Sequence, residues 1–268
     1  MDQLTAYYNK FNEEKRLDSR HGRVEYVISM EYIHACLDEI REKTGKEKEK
    51  IRILDVGAGT GRYALSLAKE GYDVTAVEYV KYNLGILKQK AKRENITLQA
   101  MQGDGRRLKK QQDDSFDLTL VFGPMYHLAE QEEKKKALKE ALRVTKEGGF
   151  VLIAYVMSDY GVITYAFKER HVLECVEQGR FSEDYNIKAD ENELYDYMRL
   201  EEIDALNAAC GARRRLIFSP DGPANYIRPF LNQLTEEEFT LFIDYQRKNA
   251  ARSDLLGAAA HTVDILEV

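Results

Sequence analysis

Three glycines and two carboxylates in the first third of the chain have the spacing of a nucleotide-binding turn. Gly57, Gly59 and Gly61 lie between an apolar run and a helical pattern, and Asp55 precedes them. Glycine lets the backbone turn sharply and approach a ligand closely, and the N-terminus of the next helix favours a negative ligand group. Glu78 follows at the end of the next apolar run, where a carboxylate can accept hydrogen bonds from both ribose hydroxyls. These residues predict a cofactor that contains a nucleoside.

The spacing of the glycines distinguishes between cofactors. A dinucleotide site needs G-x-G-x-x-G, and Arg62 occupies the place of its third glycine, which disfavours a nicotinamide-dependent dehydrogenase. The sequence DVGAGTG at 55–61 instead resembles motif I of the class I S-adenosylmethionine (SAM)-dependent methyltransferases. In that family the acidic residue faces the amino group of SAM through water, and the turn holds the rest of the cofactor. The resemblance implies SAM-binding roles for Asp55, Gly57, Ala58, Gly59 and Gly61.

The same family has further cofactor contacts at later strand ends. Asp104, in the segment GDGRRL, follows the third predicted strand, and an acidic residue at this position of the family hydrogen-bonds the exocyclic amine of adenine. An ordinary strand-end turn would also explain the glycines beside it, but motif I and Glu78 favour the adenine contact. The remaining predicted SAM contacts are Glu78, Tyr79, Gly103, Gly105 and Phe122. The product of the reaction would be S-adenosyl-L-homocysteine (SAH).

The groups that face the methyl acceptor are predicted at the end of the fourth strand. The segment GPMYHL at 123–128 follows a nearly continuous apolar run and should lie where open α/β sheets bind ligands. It resembles the position of the family's motif IV without its [DN]-P-P-[YF] signature, which disfavours adenine in DNA and the glutamine of release factors as acceptors. His127 is predicted as a general base, because its ordinary pKa is near neutral, or as a residue that only orients its neighbours. Tyr126 is predicted as a wall or a hydrogen-bond donor to the nucleophile.

Methyl transfer from SAM needs chiefly proximity, alignment and exclusion of water, so a base is optional. A hydroxyl or amine acceptor must lose a proton, whereas a thiolate or carboxylate need not. The sequence therefore leaves an oxygen, nitrogen or sulfur nucleophile open. Four residues are weaker candidates for contact with the acceptor: Tyr8, Tyr155, Arg170 and His171.

The composition is that of an ordinary soluble globular protein. Of the 268 residues, 44% are hydrophobic and 32% are charged, and the net charge of −6 disfavours a large nucleic-acid interface. An RNA methyltransferase and a non-catalytic SAM-binding protein remain alternatives. Cys36, Cys175 and Cys210 lack metal-ligand spacing, which predicts free thiols and no metal site. The N-terminal residues lack the apolar core of a signal peptide and no stretch could span a membrane, so we expect a cytoplasmic protein, monomeric or homodimeric, with a small-molecule substrate.

Strands and helices alternate from residue 51 to residue 156, which predicts a doubly wound, mostly parallel α/β sheet. Strands are predicted at 51–56, 73–77, 96–101, 116–122, 150–156, 213–219 and 261–268. The family resemblance implies a seven-stranded Rossmann-like methyltransferase fold with strand order 3-2-1-4-5-7-6. Helices are predicted at 25–40, 81–93, 131–145 and 200–210, with the basic run 134–136 on a solvated face and Gly148-Gly149 as the stop after 131–145.

The chain is predicted to have a cap and a main domain. Residues 1–50 would form an N-terminal helical segment that closes over cofactor and substrate, or a surface helix. Residues 51–268 would form the SAM-dependent methyltransferase domain, with helical insertions at about 157–198 and 223–250. The first insertion is rich in aromatic residues, so we expect an enclosed, partly apolar site for an organic acceptor of modest size.

Overall fold

The computed structural model describes residues 3–8 and 19–268, and a seven-stranded sheet forms its centre. The strand order is β3-β2-β1-β4-β5-β7-β6. The strands are β1 (Arg52–Val56), β2 (Asp73–Glu78), β3 (Gln99–Gln102), β4 (Phe116–Val121), β5 (Thr145–Val156), β6 (Arg213–Phe218) and β7 (His261–Glu267). The strands from β3 across to β5 pair in parallel, and β7 runs antiparallel between β5 and β6. The predicted topology is confirmed, including the inserted last strand.

Helices pack on both faces of the sheet. They are α1 (Gln3–Tyr8), α2 (Arg20–Thr44), α3 (Arg62–Lys69), α4 (Lys81–Arg93), α5 (Gln131–Val144), α6 (Ser158–Gly161), α7 (Val172–Glu177), α8 (Leu200–Cys210), α9 (Arg228–Leu231) and α10 (Glu236–Asn249). Single 3₁₀ turns lie at Lys48–Lys50 and Pro124–His127, and a π-helix at Val162–Lys168 continues α6. The helices predicted at 81–93 and 200–210 are confirmed at both ends.

The central strands are apolar on both sides because both sides are covered. Every residue of β4 is buried. In β5, Phe150 and Leu152 belong to one apolar cluster, and Val151 and Ile153 belong to the cluster on the opposite face. The carboxyl ends of these strands meet at one edge of the sheet, and the loops that follow them form the site described below.

The helix before β1 is longer than its apolar pattern predicts. The pattern covers 25–40, and α2 extends beyond it at both ends. Ser19 caps the N-terminus, where its hydroxyl accepts a hydrogen bond from the backbone N–H of Gly22, and Gly45 ends the helix with a φ of +66°. Both caps are small residues outside the apolar pattern, so periodicity alone does not reveal them.

The prediction that Gly148 and Gly149 end the helix before β5 is wrong. α5 ends one residue before Thr145, where β5 begins, and the Thr145 hydroxyl donates a hydrogen bond to the Ala141 carbonyl at 2.7 Å. A Cβ added at Gly149 would lie 2.6 Å from the Asp117 carbonyl oxygen. The close approach of β4 and β5 therefore accounts for this glycine. The third strand is also shorter than predicted, because 96–98 lie outside it.

The insertion after β5 is helical only in its first half. α6, the π-helix and α7 occupy 158–177, whereas residues 178–199, all of which the structure describes, contain no helix. A bridge between Phe181 and Ile187 and another between Met157 and Met198 hold this irregular part. The expectation of a wholly helical insertion is therefore corrected. Its many short polar and aromatic residues form turns on the surface of the sheet's carboxyl edge.

The prediction that Lys134 belongs to a solvated face is also wrong. Its side chain is fully buried and pairs with Asp196 at 2.7 Å. Lys135 and Lys136 do lie on the surface, each paired with a glutamate three residues earlier. Helical periodicity places these lysines correctly on successive faces, but it does not show that a later segment covers one of them.

The insertion after β6 packs against α2. Arg20 donates to the carbonyls of Leu231 and Leu234 and pairs with Glu236. A capping box begins α10, with the Glu238 carboxylate 2.7 Å from the backbone nitrogen of Thr235. These contacts fix the start of α2 against the α9–α10 segment.

None of the helices within 3–8 and 19–268 combines the length and the apolar character that crossing a bilayer requires.

Candidate active site

The glycine turn after β1 is shaped by hydrogen bonds to β2 and by close packing. The backbone N–H groups of Gly57 and Ala58 both donate to the Val77 carbonyl, at 2.8 and 3.2 Å. Gly57 has a φ of +76°, and a Cβ there would lie 2.6 Å from Cδ of Pro124. Glycine is therefore required by both backbone conformation and space. At Gly59, with a φ of +56°, a Cβ would meet no described atom within 4 Å, because this part of the turn faces a cavity.

Gly61 packs beneath the turn and is not among the residues that line the cavity. Its φ is +93°, and a Cβ would lie 2.8 Å from Cγ of Leu87. Gly61 is buried under the turn and allows α3 to begin against α4. It supports the cofactor site from below, whereas Gly57, Ala58 and Gly59 line the cavity.

The carboxylate of Glu78 is tied to the backbone on both sides. Its Oε2 accepts from the N–H of Gly59 and its Oε1 accepts from the N–H of Val80, each at 2.8 Å. The side chain is nearly buried and lines the cavity. Each carboxylate oxygen has two lone pairs, which are the acceptors that a ribose hydroxyl needs. The turn and the acidic residue thus form one rigid unit.

Asp55 is a buried carboxyl group beside this unit. The backbone N–H of Ala64, in the first turn of α3, hydrogen-bonds it, and among the described residues its Oδ2 has no hydrogen-bond partner. Burial, and then the negative charge of Glu78, raise the pKa of Asp55 to about 7. A buried carboxyl oxygen without a partner costs free energy unless a ligand satisfies it. An ammonium group such as that of SAM fits this position.

Asp104 is held by a bidentate contact with Arg106. The guanidinium lies 2.6 Å from Oδ2, and the backbone N–H of Arg106 lies 2.9 Å from Oδ1. Burial favours the neutral carboxyl group, but the hydrogen bonds and charge of Arg106 outweigh it and hold the pKa of Asp104 below its usual value. Arg106 also binds Glu133 at the start of α5. Asp104 is therefore a fixed anion at the cavity wall, with lone pairs left for a donor such as an adenine amine.

A cavity of about 400 Å³ joins these groups, a volume typical of small-molecule sites. Its walls come from the turn after β1, the ends of β2 and β4, α2, the insertion after β5 and the start of β7. Most of the predicted site residues line it: Asp55, Gly57, Ala58, Gly59, Glu78, Tyr79, Gly103, Asp104, Gly105, Phe122, Tyr126 and His127. Leu4 of α1 lines it as well, and the Tyr7 ring contacts that of Tyr195 from the insertion.

His127 and Tyr126 form one end of the cavity. The Nδ1 atom of His127 lies 2.9 Å from the carbonyl oxygen of Leu194, so Nδ1 carries the proton and donates it. Burial lowers the pKa of His127 to about 4, and the ring is neutral at physiological pH. The Tyr126 ring packs edge-on against His127 and near Tyr195. The insertion thus shapes this end of the site.

The weaker candidates lie elsewhere. Tyr155 is buried in the core on β5, and burial raises its pKa. Arg170 is exposed, and His171 stacks on Tyr165 at the surface of the insertion. The side chain of Tyr8 lies outside the described part of the structure.

Sequence analysis does not identify two residues at the cavity that could act in catalysis, His261 and Asp221. His261, the first residue of β7, lines the cavity and places Nδ1 2.6 Å from Oδ2 of the fully buried Asp221. Asp221 follows the end of β6, so it is an acidic residue just beyond a strand, as Asp104 is. The sequence shows that Asp221 follows a strand. It does not show that Asp221 contacts His261, which lies forty positions later.

Glu25 of α2 lies near this pair. One ligand atom from each of Glu25, Asp221 and His261 falls within 4.8 Å of the others. Among the described residues, this is the group with the geometry to hold a metal ion.

Comparison with known proteins agrees with the geometry of this cavity in pointing to a methyltransferase. Residues 53–149 match the family model described as a methyltransferase domain. A demethylmenaquinone methyltransferase of Renibacterium salmoninarum is 42% identical over 104 residues, which cover 38% of this chain and 40% of that protein. A glycine/sarcosine N-methyltransferase of Aphanothece halophytica is 28% identical over 130 residues, which cover 48% and 49%. The chain thus spans less than half the length of these curated relatives.

Solved structures extend the similarity to the whole fold. A SAM-dependent methyltransferase of Methanosarcina mazei superimposes with a TM-score of 0.55 at 15% identity, covering 84% of this chain and 96% of that one. The magnesium protoporphyrin IX methyltransferase of Synechocystis PCC 6803, with bound SAH, gives a TM-score of 0.53 at 11% identity and covers 92% and 82%. Residues 53–149 therefore carry a methyltransferase domain, and the described chain has the strand order of the class I SAM-dependent methyltransferases, which use SAM as the methyl donor.

Proposed function

We propose that this protein transfers the methyl group of SAM to a small organic acceptor bound beside Tyr126 and His127. One observation carries the proposal: a single cavity connects the glycine turn and Glu78 with the Tyr126–His127 wall. A donor and an acceptor bound at its two ends would be held close together, and proximity is the main contribution that a protein makes to this reaction.

The residues at the donor end fit SAM. Asp55 would accept a hydrogen bond from the amino group through its unpartnered oxygen, and Glu78 would accept from the ribose hydroxyls. Asp104, fixed by Arg106, would accept from the adenine amine. When bound, SAM supplies an activated methyl group on a sulfonium, so the chain needs no further electrophilic catalyst.

Three parts of the chain enclose the cavity whose far end would take the acceptor. Leu4 of α1, the Leu194 segment of the insertion and the Tyr126–His127 turn all line it. This supports a covering role for the N-terminal segment and for the insertion. Aromatic and aliphatic walls with a few polar groups suit an organic molecule of modest size. Exclusion of water from this end would strengthen the polar contacts that orient the acceptor.

The names of the relatives support a small-molecule acceptor. The curated proteins that match include a glycine/sarcosine N-methyltransferase and a ubiquinone biosynthesis O-methyltransferase of Rickettsia akari. They act on small acceptors and methylate different atoms. For this chain we therefore propose the acceptor class and not one acceptor.

Isothermal titration with SAM and SAH tests the donor site. Glu78→Ala should abolish measurable binding, because it removes the ribose acceptor and releases the Gly59 N–H. Glu70→Ala, the same change at an exposed glutamate, should leave binding unchanged. Absence of SAM binding by the unaltered protein, or equal affinity of both variants, would contradict the proposal.

A screen with SAM labelled at its methyl group tests the reaction. Transfer of label to members of a small-molecule library is the expected result. Binding without any transfer would favour a non-catalytic SAM-binding protein. Transfer to tRNA, with affinity that falls steeply with salt, would favour the RNA methyltransferase alternative.

A further inference from the structure

A buried carboxylate orients one histidine of the cavity. Asp221 is fully buried, and its Oδ2 lies 2.6 Å from Nδ1 of His261, whose side chain is 22% exposed. Asp221 follows β6 and His261 begins β7, so both stand at the carboxyl edge of the sheet, on rigid strand ends. The histidine faces the cavity and the carboxylate lies behind it.

Three further donors surround the Asp221 carboxylate. Nδ2 of Asn225 donates to Oδ2 at 2.6 Å, the hydroxyl of Ser219 lies 3.3 Å from Oδ1, and the backbone N–H of His261 donates to Oδ1 at 3.3 Å. Asn225 is fixed in turn by Arg228, which binds its Oδ1. A carboxylate placed among donors acts as an acceptor. Nδ1 of His261 therefore carries the proton, and the lone pair is on Nε2.

The described contact of His127 differs in charge from that of His261. Its Nδ1 also donates, but the acceptor is the neutral carbonyl of Leu194. A carbonyl can orient an imidazole, whereas a carboxylate can also offset the positive charge that an imidazole gains with a second proton. Burial further disfavours the charged form of His127, whose pKa is lowered to about 4. Of the two cavity histidines, His261 is the one whose described contact on Nδ1 is a carboxylate.

We propose that His261, oriented by Asp221, takes the proton from the nucleophile of the acceptor during methyl transfer. The inference rests on the proposed function and sharpens it, because only an acceptor that brings an N–H or O–H group needs such a residue. The nucleophile forms a bond to the methyl carbon, the bond from that carbon to the sulfonium sulfur breaks, and its electron pair returns to sulfur. The released proton passes to Nε2 of His261 and then to solvent.

The other groups that face His261 agree with this role. Glu25 reaches the same corner from α2, which adds a second acidic residue near the imidazole. The Tyr126 ring lies 6.5 Å from that of His261 between ring centres. Acidic and aromatic groups around a proton acceptor suit an amine, a phenol or an alcohol.

The tautomer of His261 is a test that needs no acceptor. The chain has five histidines, few enough for assignment of their ring nitrogens by ¹⁵N NMR in the complete protein with SAH. A protonated Nδ1 in the unaltered protein, and a mixture of tautomers in Asp221→Asn, are expected. Protonation of Nε2 in the unaltered protein would overturn the proposal. This result does not depend on turnover and so separates the dyad from the methyltransferase activity itself.

Turnover is the second test, measured with methyl-labelled SAM and a panel of phenols, alcohols and primary amines. His261→Gln should lower kcat by about 10²–10⁴-fold while the Kd for SAH stays within about twofold. Asp221→Asn should lower kcat too, and His34→Gln on the exposed side of α2 is the matched control. Loss of kcat in His127→Gln with full activity in His261→Gln would overturn the proposal.

A metal ion is the competing use of the same residues. If Glu25, Asp221 and His261 ligated an ion, activity would disappear with EDTA and return with Mg²⁺ or Zn²⁺, and that result would overturn the proposal. Unchanged activity in EDTA supports the dyad. If the panel contains no acceptor, the methyl-transfer proposal fails on that panel, and the ¹⁵N measurement still decides whether Asp221 orients His261.

Discussion

The Nζ atom of Lys134 lies 2.7 Å from Oδ2 of Asp196, and both side chains are buried. Lys134 belongs to α5, beside the sheet, and Asp196 belongs to the irregular end of the insertion. Lys134 also donates to the Leu128 carbonyl, and the backbone N–H of Asp196 donates to the Tyr126 carbonyl at 2.9 Å. This ion pair therefore fixes the insertion against the turn that carries Tyr126 and His127, the wall of the acceptor end.

Removing one member of this pair should destabilise the protein strongly. Lys134→Met leaves Asp196 buried without its cation, and such changes cost about 3–5 kcal/mol. The double variant Lys134→Met/Asp196→Leu removes both charges and should recover much of that loss. Urea denaturation gives the free energies. Lys135→Met, at the neighbouring surface lysine, should cost far less stability, because surface ion pairs contribute little. An equal cost for the two lysines would contradict the assignment.

Gly57 should tolerate a methyl group worse than another glycine with the same backbone conformation. Gly57→Ala would combine a positive φ with a Cβ only 2.6 Å from the Pro124 ring. Gly179 has a φ of +66°, and a Cβ there would meet no described atom within 4 Å. We expect Gly179→Ala to cost about 1 kcal/mol and Gly57→Ala to cost more and to weaken SAM binding. If the two variants had similar stabilities in thermal unfolding, the close contact between the new Cβ and Pro124 would cost little free energy.

His127 should make the folded protein less stable in acid. Its pKa is lowered from 6.5 to about 4, so between these values the unfolded chain binds a proton that the folded protein does not. Stability therefore falls as the pH drops from about 6.5 to 4, by about 2 kcal/mol for this group. His127→Gln should show a correspondingly smaller decline in urea midpoints. An identical decline in both proteins would mean that protonation of His127 in the folded protein costs no stability.

The residues predicted for the donor half come together in the structure because that half is local. Gly57, Gly59 and Glu78 belong to one strand–turn–helix–strand unit, and their positions follow from the order of elements. The seven-strand order came from the family resemblance and is confirmed.

The acceptor half depends on contacts between distant segments, which periodicity does not record. Lys134 meets Asp196 and His261 meets Asp221 only after the sheet has formed. The irregular segment 178–199 has no periodic pattern from which its path could be predicted. The same limit explains why helical periodicity places Lys134 in solvent and why the sequence identifies His261 only as the start of a strand.

Asp55 connects the stability of the protein to its cofactor. Burial and the charge of Glu78 raise the pKa of Asp55 from 3.8 to about 7, so between these values the folded protein holds a proton that the unfolded chain releases. The stability of the SAM-free protein should therefore fall as the pH rises from about 4 to 7, by about 3–4 kcal/mol for this group. Asp55→Asn, which keeps an oxygen for the Ala64 N–H, should remove that part of the decline.

SAM should reverse the effect by favouring ionised Asp55. A bound ammonium group near the carboxylate stabilises its charged form, so SAM binding at pH 6 should release a proton from Asp55. Titration calorimetry in buffers of different ionisation enthalpy measures that proton directly. Asp55→Asn should bind SAM more weakly and release none from this site. If both proteins released equal numbers of protons, Asp55 would not face the amino group of SAM, and the predicted contact would have to be given up.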